Sequence, residues 1–375
     1  MNFDFNLSIE ELKKRTNKDY LVTKKMLDVD SLEFLQLDEN DKKALQYLVK
    51  SARIIEKINL SLDSHYNLGF KNFIEEQIKL GNEQAKLTKI LFDAQKGIFA
   101  LDCESNLVNL CSNLQYRPQR GFYPVDLEKE EFHQILINMI KEGKIEEVKK
   151  ILNQRSVVIR KDKELIGIDY IEQFQQDFKK IADLLIKASS VSTNSDFNDY
   201  LRLQAQAFLV CDPMLDAYAD KKWASLQNTP LEYTITRENY SDEFTETVFE
   251  NLELKKLLED NKIDVISKDY LGARVGIVNK TGTDYILKVK EYLPKMAEKM
   301  PFKEKYSQNI SSGSDIKQTM VDVDLIEVAG DVGAFRAGIT LAENLPNNDK
   351  LSFSIGGGRR KVYHRQIRFV TSKDA

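Results

Sequence analysis

The stretch with the most concentrated polar chemistry is GDVGAFRAGITLAENLPNNDK, residues 330–350. Near its end, Asn344 and Asn347 stand three residues apart with Pro346 between them. One asparagine side chain both donates and accepts, so two at a fixed spacing could hold the polar groups of a ligand. Proline fixes its own φ and biases Leu345 toward an extended shape, which would preorganise both amides. The composition is equally typical of a turn, because Asn, Pro and Asp each favour turns locally.

Other chemistry is missing from the sequence. A self-sufficient zinc site needs closely spaced ligands, such as two histidines at i and i+4, but His65, His133 and His364 are far apart. There is no GxSxG, GxxxxGK[ST] or GxGxxG motif. The run SIGGGRRK, 354–361, could cradle a phosphate, and a nucleotide enzyme is kept as an alternative. Apparent strands flank this run, so a glycine turn with basic flanks is the favoured interpretation.

Composition and charge indicate an ordinary globular protein of about two domains or one two-part domain. The chain has 375 residues, 42% hydrophobic and 30% charged, and 59 acids against 55 bases give a net charge of −4. No whole-chain field therefore draws it to nucleic acid or to a membrane. Without a signal-peptide pattern or an apolar span, we expect a cytoplasmic location. Cys103, Cys111 and Cys211 form no CxxC pair and favour reduced, buried thiols.

The first 230 residues show mainly helical patterns. In one of them, Leu45, Leu48, Ala52 and Ile55 follow the rhythm of a half-buried helix, with Asp38 or Asn40 as its cap. Similar patterns run through 68–93, 128–153, 165–189 and 196–209.

The pattern changes after Pro230. One helix is predicted over 283–300. The sequence thus predicts an α+β protein, with a helical region at 1–230 and, at 231–375, a substrate-cleft region containing a mixed, partly antiparallel sheet or a barrel-like β region. Short segments rich in β-branched residues predict strands at 231–236, 273–279, 319–330, 351–357 and 365–370.

Several segments, in order, resemble the dipeptidyl peptidase III family, two-lobed zinc metallopeptidases that remove dipeptides from the free N-termini of oligopeptides. The resemblance covers about residues 120–370. It is carried by RGFYPVDLEKEEF (120–132), the stretch 199–235, RENYSD (237–242), LGARVGIVN (271–279), KEYLPKMAEKMP (290–301) and AGDVGAFRAGITLAENLPNND (329–349).

The resemblance implies that both polar motifs line the substrate cleft of the lower lobe. Glu238 would then meet the free α-ammonium of a peptide, and Tyr240 would donate its hydroxyl to the oxyanion at the scissile carbonyl. Asn344 and Asn347 would bind the N–H and C=O groups of the extended peptide backbone. Two neighbours of these residues, Asn239 and Asp349, are grouped with them as candidate substrate-binding residues.

The sequence departs from the family at its end, YHRQIRFVTSKDA. Family members continue into an upper lobe that carries His-Glu-x-x-x-His and a further glutamate ligand. We therefore expect a truncated, lower-lobe portion that binds an oligopeptide, holds no zinc alone, and needs a separate or missing zinc-bearing lobe for peptidase chemistry. The alternative is a non-catalytic peptide-binding or scaffold protein that uses the same cleft.

Overall fold

The computed structural model describes residues 2–17, 21, 24–28, 30–102, 106–238, 242–302, 304–305, 320–330, 342–345, 351, 354–356, 360–364 and 368–371. Side chains are described for these residues except 24–26, 238, 342–345, 360–364 and 368–371.

The described residues form an α+β fold, as the sequence predicts. The helices are α1 Ile9–Arg15, α2 Leu32–Leu35, α3 Glu39–Asp63, α4 Asn67–Lys79, α5 Glu83–Gln95, α6 Lys129–Lys141, α7 Ile145–Ile151, α8 Tyr170–Gln173, α9 Gln175–Val191, α10 Ser195–Val210, α11 Pro213–Ala224, α12 Leu252–Asp260, α13 Lys280–Glu291 and α14 Leu293–Glu298. The strands are β1 Lys24–Leu27, β2 Phe99–Leu101, β3 Leu107–Asn109, β4 Ser156–Lys161, β5 Glu164–Asp169, β6 Leu231–Glu238, β7 Tyr270–Val278, β8 Met320–Ala329, β9 Ala342–Leu345, β10 Arg360–His364 and β11 Arg368–Thr371.

Helix α3 connects the helical region to the sheet. The Asp38 carboxylate caps its start by accepting the N–H groups of Asn40 and Asp41 at 2.9 and 2.8 Å, which supports the expected cap. The predicted apolar positions, including Leu48 and Ile55, are buried. The helix packs on α9, β7 and β8, so residues from one long helix reach the end of the sheet.

The main sheet has the strand order β6-β7-β8-β10-β9. Strand β7 runs antiparallel to both β6 and β8, whereas β10 runs parallel to β8 and β9 runs antiparallel to β10. The sheet is therefore mixed, as predicted, and the described strands leave it open with β6 and β9 at its edges. A bulge lies between Val275 and Gly276, where a Cβ on Gly276 would come within 2.1 Å of a Val323 methyl.

Three segments differ from the expected elements. Residues 156–169 form the β4–β5 hairpin, so the helix predicted from 165 begins later, in α8 and α9. The helix predicted over 68–93 breaks into α4 and α5 at Gly81, which has a φ of 83°. The strand predicted at 351–357 is wrong at its described positions, because Leu351 and Ser354 are helical.

The hydrophobic core is continuous across position 230. One buried cluster contains Leu45 and Ile55 of α3, Val275 of β7 and Leu325 of β8. A second cluster around Phe70 and Phe92 holds the N-terminal helices together. The change at 230 is thus a change in secondary structure within a shared core, and a domain boundary there stays a prediction. No helix among the described residues has the length and apolar composition to cross a membrane.

Candidate functional site

Strands β6 and β8 finish at the same end of the main sheet. Arg237 pairs with Leu271 and Glu238 with Tyr270, at the start of β7. The last residue of β8, Ala329, pairs with Ala273 of the same strand. Because β7 is antiparallel to both neighbours, the carboxyl ends of β6 and β8 flank its amino end. RENYSD and AGDVGAF, two motifs that carry the family resemblance, therefore start close together.

Two of the predicted site residues have a described backbone position. Glu238 is the last residue of β6, and Asn344 lies in β9, opposite Lys361. These are the two edge strands of one sheet. The register also places Asn344 level with Met320, the first residue of β8. The backbones of Glu238 and Asn344 therefore lie toward opposite ends of the sheet.

The remaining predicted site residues, Asn239, Tyr240, Asn347 and Asp349, lie outside the described residues. The arrangement of all these side chains on one concave surface stays a prediction.

Asp242 anchors the chain immediately after the RENYSD core. Its fully buried carboxylate accepts the Tyr123 hydroxyl at 2.8 Å and the backbone N–H groups of Phe244, Thr245 and Lys268 at 3.0–3.2 Å. Burial, followed by the nearby Asp242 charge, raises the pKa of Tyr123 well above its ordinary value, so its hydroxyl remains a donor. Four donors fix this carboxylate. Segment 239–241 is therefore bounded by Glu238, at the end of β6, and by the anchored Asp242.

Lys268 is a buried ammonium group behind the same anchor. Its Nζ donates to the carbonyls of Ile151 and Asn153 at 2.7 and 2.8 Å and to the Ser156 hydroxyl at 2.8 Å. Burial lowers the pKa of Lys268 to about 7, while the charge of Asp242 opposes that shift. Three acceptors match the three hydrogens of an ammonium group, so these hydrogen bonds stabilise the charged form of Lys268.

A buried ionic network holds the end of β6. Asp216 of α11 forms an ion pair with Arg237, whose Nε lies 2.9 Å from the carboxylate, and accepts a hydrogen bond from Nη2 of Arg155, at the end of the loop before β4. The other side of Arg155 donates through Nε to Asp269 at 3.1 Å. The Arg237 guanidinium also lies 4.7 Å from the centroid of the Phe208 ring. Arg237, directly before Glu238, is therefore fixed by helices α10 and α11.

Asp220 adds a titratable group to this network. It lies one helical turn after Asp216 on α11. Burial, and then repulsion from Asp216, raises the pKa of Asp220 to about 7, although Arg237 and Arg155 oppose the shift. The charge near the end of β6 therefore changes around neutral pH.

The end of β8 is fixed by polar side chains from the helical region and from β7. Gly330 donates its N–H to Glu56 Oε2 at 2.6 Å, and its carbonyl accepts from Arg274 at 2.9 Å. Lys96 bridges Glu56 and the Val328 carbonyl, at 3.1 and 2.7 Å. Gly330 has a φ of 58°, and a Cβ there would lie 2.6 Å from the Leu271 carbonyl oxygen. The backbone from which segment 331–341 departs is thus tightly determined.

A cavity of about 670 Å³ opens beside the ionic network, with Arg155 in its wall. None of its lining residues is a predicted site residue. The other lining residues are Lys149, Leu152, Asn153, Gln154, Asp169, Ile171, Val210, Cys211, Pro213, Lys262, Asp264 and Ile266.

Sequence reasoning did not single out the anchoring residues. Arg237 and Asp242 belong to the motif RENYSD. Their positions next to the candidate residues are the only local feature of the sequence that could have pointed to them. Arg155, Glu56 and Lys268 are single residues far away along the chain, without a motif of their own.

Comparisons with solved structures agree with the resemblance found in the sequence. The structure of dipeptidyl peptidase III from Caldithrix abyssi matches with a TM-score of 0.65 and 25% identity over 94% of this chain. That from Corallococcus sp. strain EGB matches with a TM-score of 0.64 and 20% identity over 96%. This chain covers 59% of each of those chains. No family model and no curated protein matches it. The fold is therefore dipeptidyl peptidase III-like and corresponds to part of those proteins.

Zinc, which the resemblance implies for the complete enzyme, does not fit the described residues. That part of the chain contains no group of three or more His, Cys, Asp or Glu side chains that could hold a metal. Nε2 of His65 is 3.2 Å from the Tyr123 carbonyl, and that of His133 is 3.1 Å from the Thr247 hydroxyl. The side chain of His364 lies outside the described residues.

The cysteines supply no alternative metal site within the described residues. Cys111 and Cys211 are free thiols, and burial raises the pKa of both. The thiolate is the nucleophile and the metal ligand, so these shifts disfavour both roles. Cys103 lies outside the described residues.

Proposed function

We propose that this chain forms the substrate-binding part of a dipeptidyl peptidase III-like peptidase. The observation that carries the proposal is that RENYSD and AGDVGAF start at the same end of the sheet, the first next to the buried Asp242 and the second next to the partly buried Glu56. The fold likeness over 94% of the chain supports it. Anchoring of this kind suits a binding surface, because a preorganised site spends less of its binding energy on ordering itself.

The proposed roles follow the chemistry of an extended peptide. Glu238 forms a charge-assisted bond with the free α-ammonium, which makes the site count residues from the N-terminus. Asn344 and Asn347, together with Asn239 and Asp349, bind the peptide backbone. Tyr240 donates to the developing oxyanion. A zinc-bearing lobe is the proposed partner, because the described residues offer no group that could hold the metal.

Peptide binding tests the first part of this proposal. Isothermal titration of the 375-residue chain with a pentapeptide should show binding that is lost when the peptide N-terminus is acetylated. Asn344→Ala and Asn347→Ala should each weaken binding by about 1–2 kcal/mol, the usual scale for a lost hydrogen bond. Asn138→Ala, at an exposed position of α6, is the matched control and should bind normally. Equal binding by all three variants and by the acetylated peptide would contradict the assigned roles.

Reconstitution tests the second part. Dipeptide release should appear only when the chain is mixed with a separately expressed zinc-bearing lobe, and Tyr240→Phe should then lower turnover by about 10²-fold. Stoichiometric zinc with chelator-sensitive cleavage by the chain alone would overturn the need for a partner. Peptide binding without cleavage in any mixture would support the alternative, a non-catalytic peptide-binding protein.

A further inference from the structure

Helices α13 and α14 carry exposed apolar side chains at helical spacing. We name this set the apolar seam. Four of them, from 285 to 296, follow one another at spacings of four, three and four residues, the spacing of one helical face. Tyr292 joins the two helices, and Met300 and Phe302 follow the end of α14. Single exposed apolar residues are common, but a continuous stripe marks a contact surface. The seam consists of Tyr285, Val289, Tyr292, Met296, Met300 and Phe302, which are 69%, 42%, 57%, 55%, 54% and 70% exposed.

The helix pair is attached to the sheet by its other side. Thr283 is the one buried residue of α13, and α14 has none. The Thr283 hydroxyl accepts the N–H of Asp322 in β8 at 3.0 Å, and the Asn279 N–H donates to the Asp322 carbonyl at 2.8 Å. Two residues correspond to about 200° of helical rotation, so Tyr285 faces away from the sheet-bound side.

The seam has the pattern of one strand of a coiled coil. In a heptad, Tyr285 and Tyr292 occupy d positions, and Val289 and Met296 occupy a positions. The g positions before each a residue are then Lys288 and Lys295, both exposed. Neither lysine forms an ion pair within the described part of the chain; Lys295 Nζ lies 5.5 Å from the Tyr292 ring centroid.

We propose that the apolar seam binds an amphipathic helix of a partner protein. That helix has apolar residues at its own a and d positions and Asp or Glu on the flank that faces Lys288 and Lys295. Charges at g positions select partners in helix pairs, and two cations select an acidic flank. The seam from Tyr285 to Met296 is only roughly 16 Å long, so the interface is small and the binding weak.

The same charges argue against two other occupants. In an antiparallel pair of identical seams, Lys288 and Lys295 would face lysines, and like charges repel. A membrane-surface helix needs a wide apolar face with cations around it. Here the second flank carries Ile286 and Leu293, which are half-buried against the chain itself, and this leaves the exposed apolar face narrow.

Fluorescence anisotropy with two synthetic helices tests the proposal. Each labelled peptide has about three heptads with Leu at a and d, and carries either Glu or Lys at e and g. The 375-residue chain should bind the Glu peptide at least about tenfold more tightly than the Lys peptide. Lys288→Glu with Lys295→Glu should reverse that preference. Tyr285→Ser with Tyr292→Ser should abolish binding of both peptides.

Matched controls separate this result from a general charge effect. Lys86→Glu with Lys187→Glu makes the same charge change at exposed positions elsewhere and should leave the preference intact. Equal affinity for both peptides, or no response to the seam variants, would refute the proposal. Sedimentation showing self-association that the tyrosine variant removes would assign the seam to a second copy. Binding to phosphatidylserine vesicles that the Lys288 and Lys295 variant removes would assign it to a membrane.

Discussion

Two regions in the second half of the chain are held in opposite ways. One is the end of the sheet where β6 and β8 finish, and the other is the helix pair α13–α14. At the sheet end, the buried Asp242 and the partly buried Glu56 bind individual backbone N–H groups, and Arg237 is held in an ion pair with Asp216. Helices α13 and α14 bury one side chain between them and turn apolar residues outward. Buried polar contacts have a narrow geometry and therefore fix position, whereas an exposed apolar face is suited to making a new contact.

The largest expected effect is at Asp242. Asp242→Ala removes the acceptor of four buried donors and a charge near the Lys268 ammonium, so the free energy of unfolding should fall by about 3–5 kcal/mol. Urea denaturation followed by circular dichroism measures the loss. Asp264→Ala, at an exposed carboxylate, should change stability by less than about 0.5 kcal/mol. A small loss at Asp242 would show that its network does not hold this region.

Gly330 and Gly143 allow a sharper comparison of backbone position. Both have positive φ, 58° and 80°, but a Cβ on Gly330 would lie 2.6 Å from the Leu271 carbonyl, whereas nothing lies within 4 Å of one on Gly143. Gly143→Ala should cost only about 1 kcal/mol, for the φ strain. Gly330→Ala should cost about 2–4 kcal/mol, because the backbone must also move. Equal losses in thermal or urea unfolding would mean that close packing at Gly330 is unimportant.

Asp220 should make stability depend on pH. Its pKa is raised to about 7 in the folded protein, so the folded state binds the proton more tightly than the unfolded state. Protonated Asp220 contributes to the free energy of unfolding below about pH 4, and this contribution is lost as the pH rises toward 7. Asp220→Asn should therefore gain about 1–2 kcal/mol relative to the native chain at pH 8 and little at pH 4. Parallel urea titrations at both pH values check the sign; a gain that is the same at both would contradict the raised pKa.

The smallest effect is expected on the apolar seam. Tyr285→Ser and Tyr292→Ser remove exposed side chains, so each should change the free energy of unfolding by less than about 0.5 kcal/mol. The same denaturation assay applies, with Tyr123→Ser as a buried counterpart that should lose several kcal/mol. A large loss at Tyr285 would mean that the seam is part of the folded core.

Local periodicity accounts for the elements that the sequence predicted correctly. Helix α3 and strands β6, β7 and β8 have regular apolar spacing and clear boundaries, so each could be placed from its own residues. The β4–β5 hairpin was missed because its apolar runs are short and fit either a helix or a strand. Its turn depends on Asp162, which has a φ of 54°.

The candidate site residues were chosen from sequence motifs, and their arrangement on one surface stays a prediction. Glu238 was chosen by resemblance, and Asn344 first by the spacing of its amide from that of Asn347; the structure describes the backbones of Glu238 and Asn344 alone. Arg155, Glu56 and Lys268 could not be chosen, because each gains its role from partners that are remote in sequence. Burial decides their importance, and burial follows from the tertiary fold rather than from local pattern.

The contact between Glu56 and Gly330 has a consequence for synthesis on the ribosome. The two residues are 274 positions apart. At about 5–20 residues per second, Glu56 emerges roughly 14–55 seconds before its backbone partner exists. Lys96 pairs with Glu56 at 3.1 Å and emerges long before Gly330. A counter-ion for the Glu56 carboxylate is therefore present before Gly330 is synthesised. The partly buried Glu56 carboxylate thus has a charged partner encoded earlier in the chain than β8.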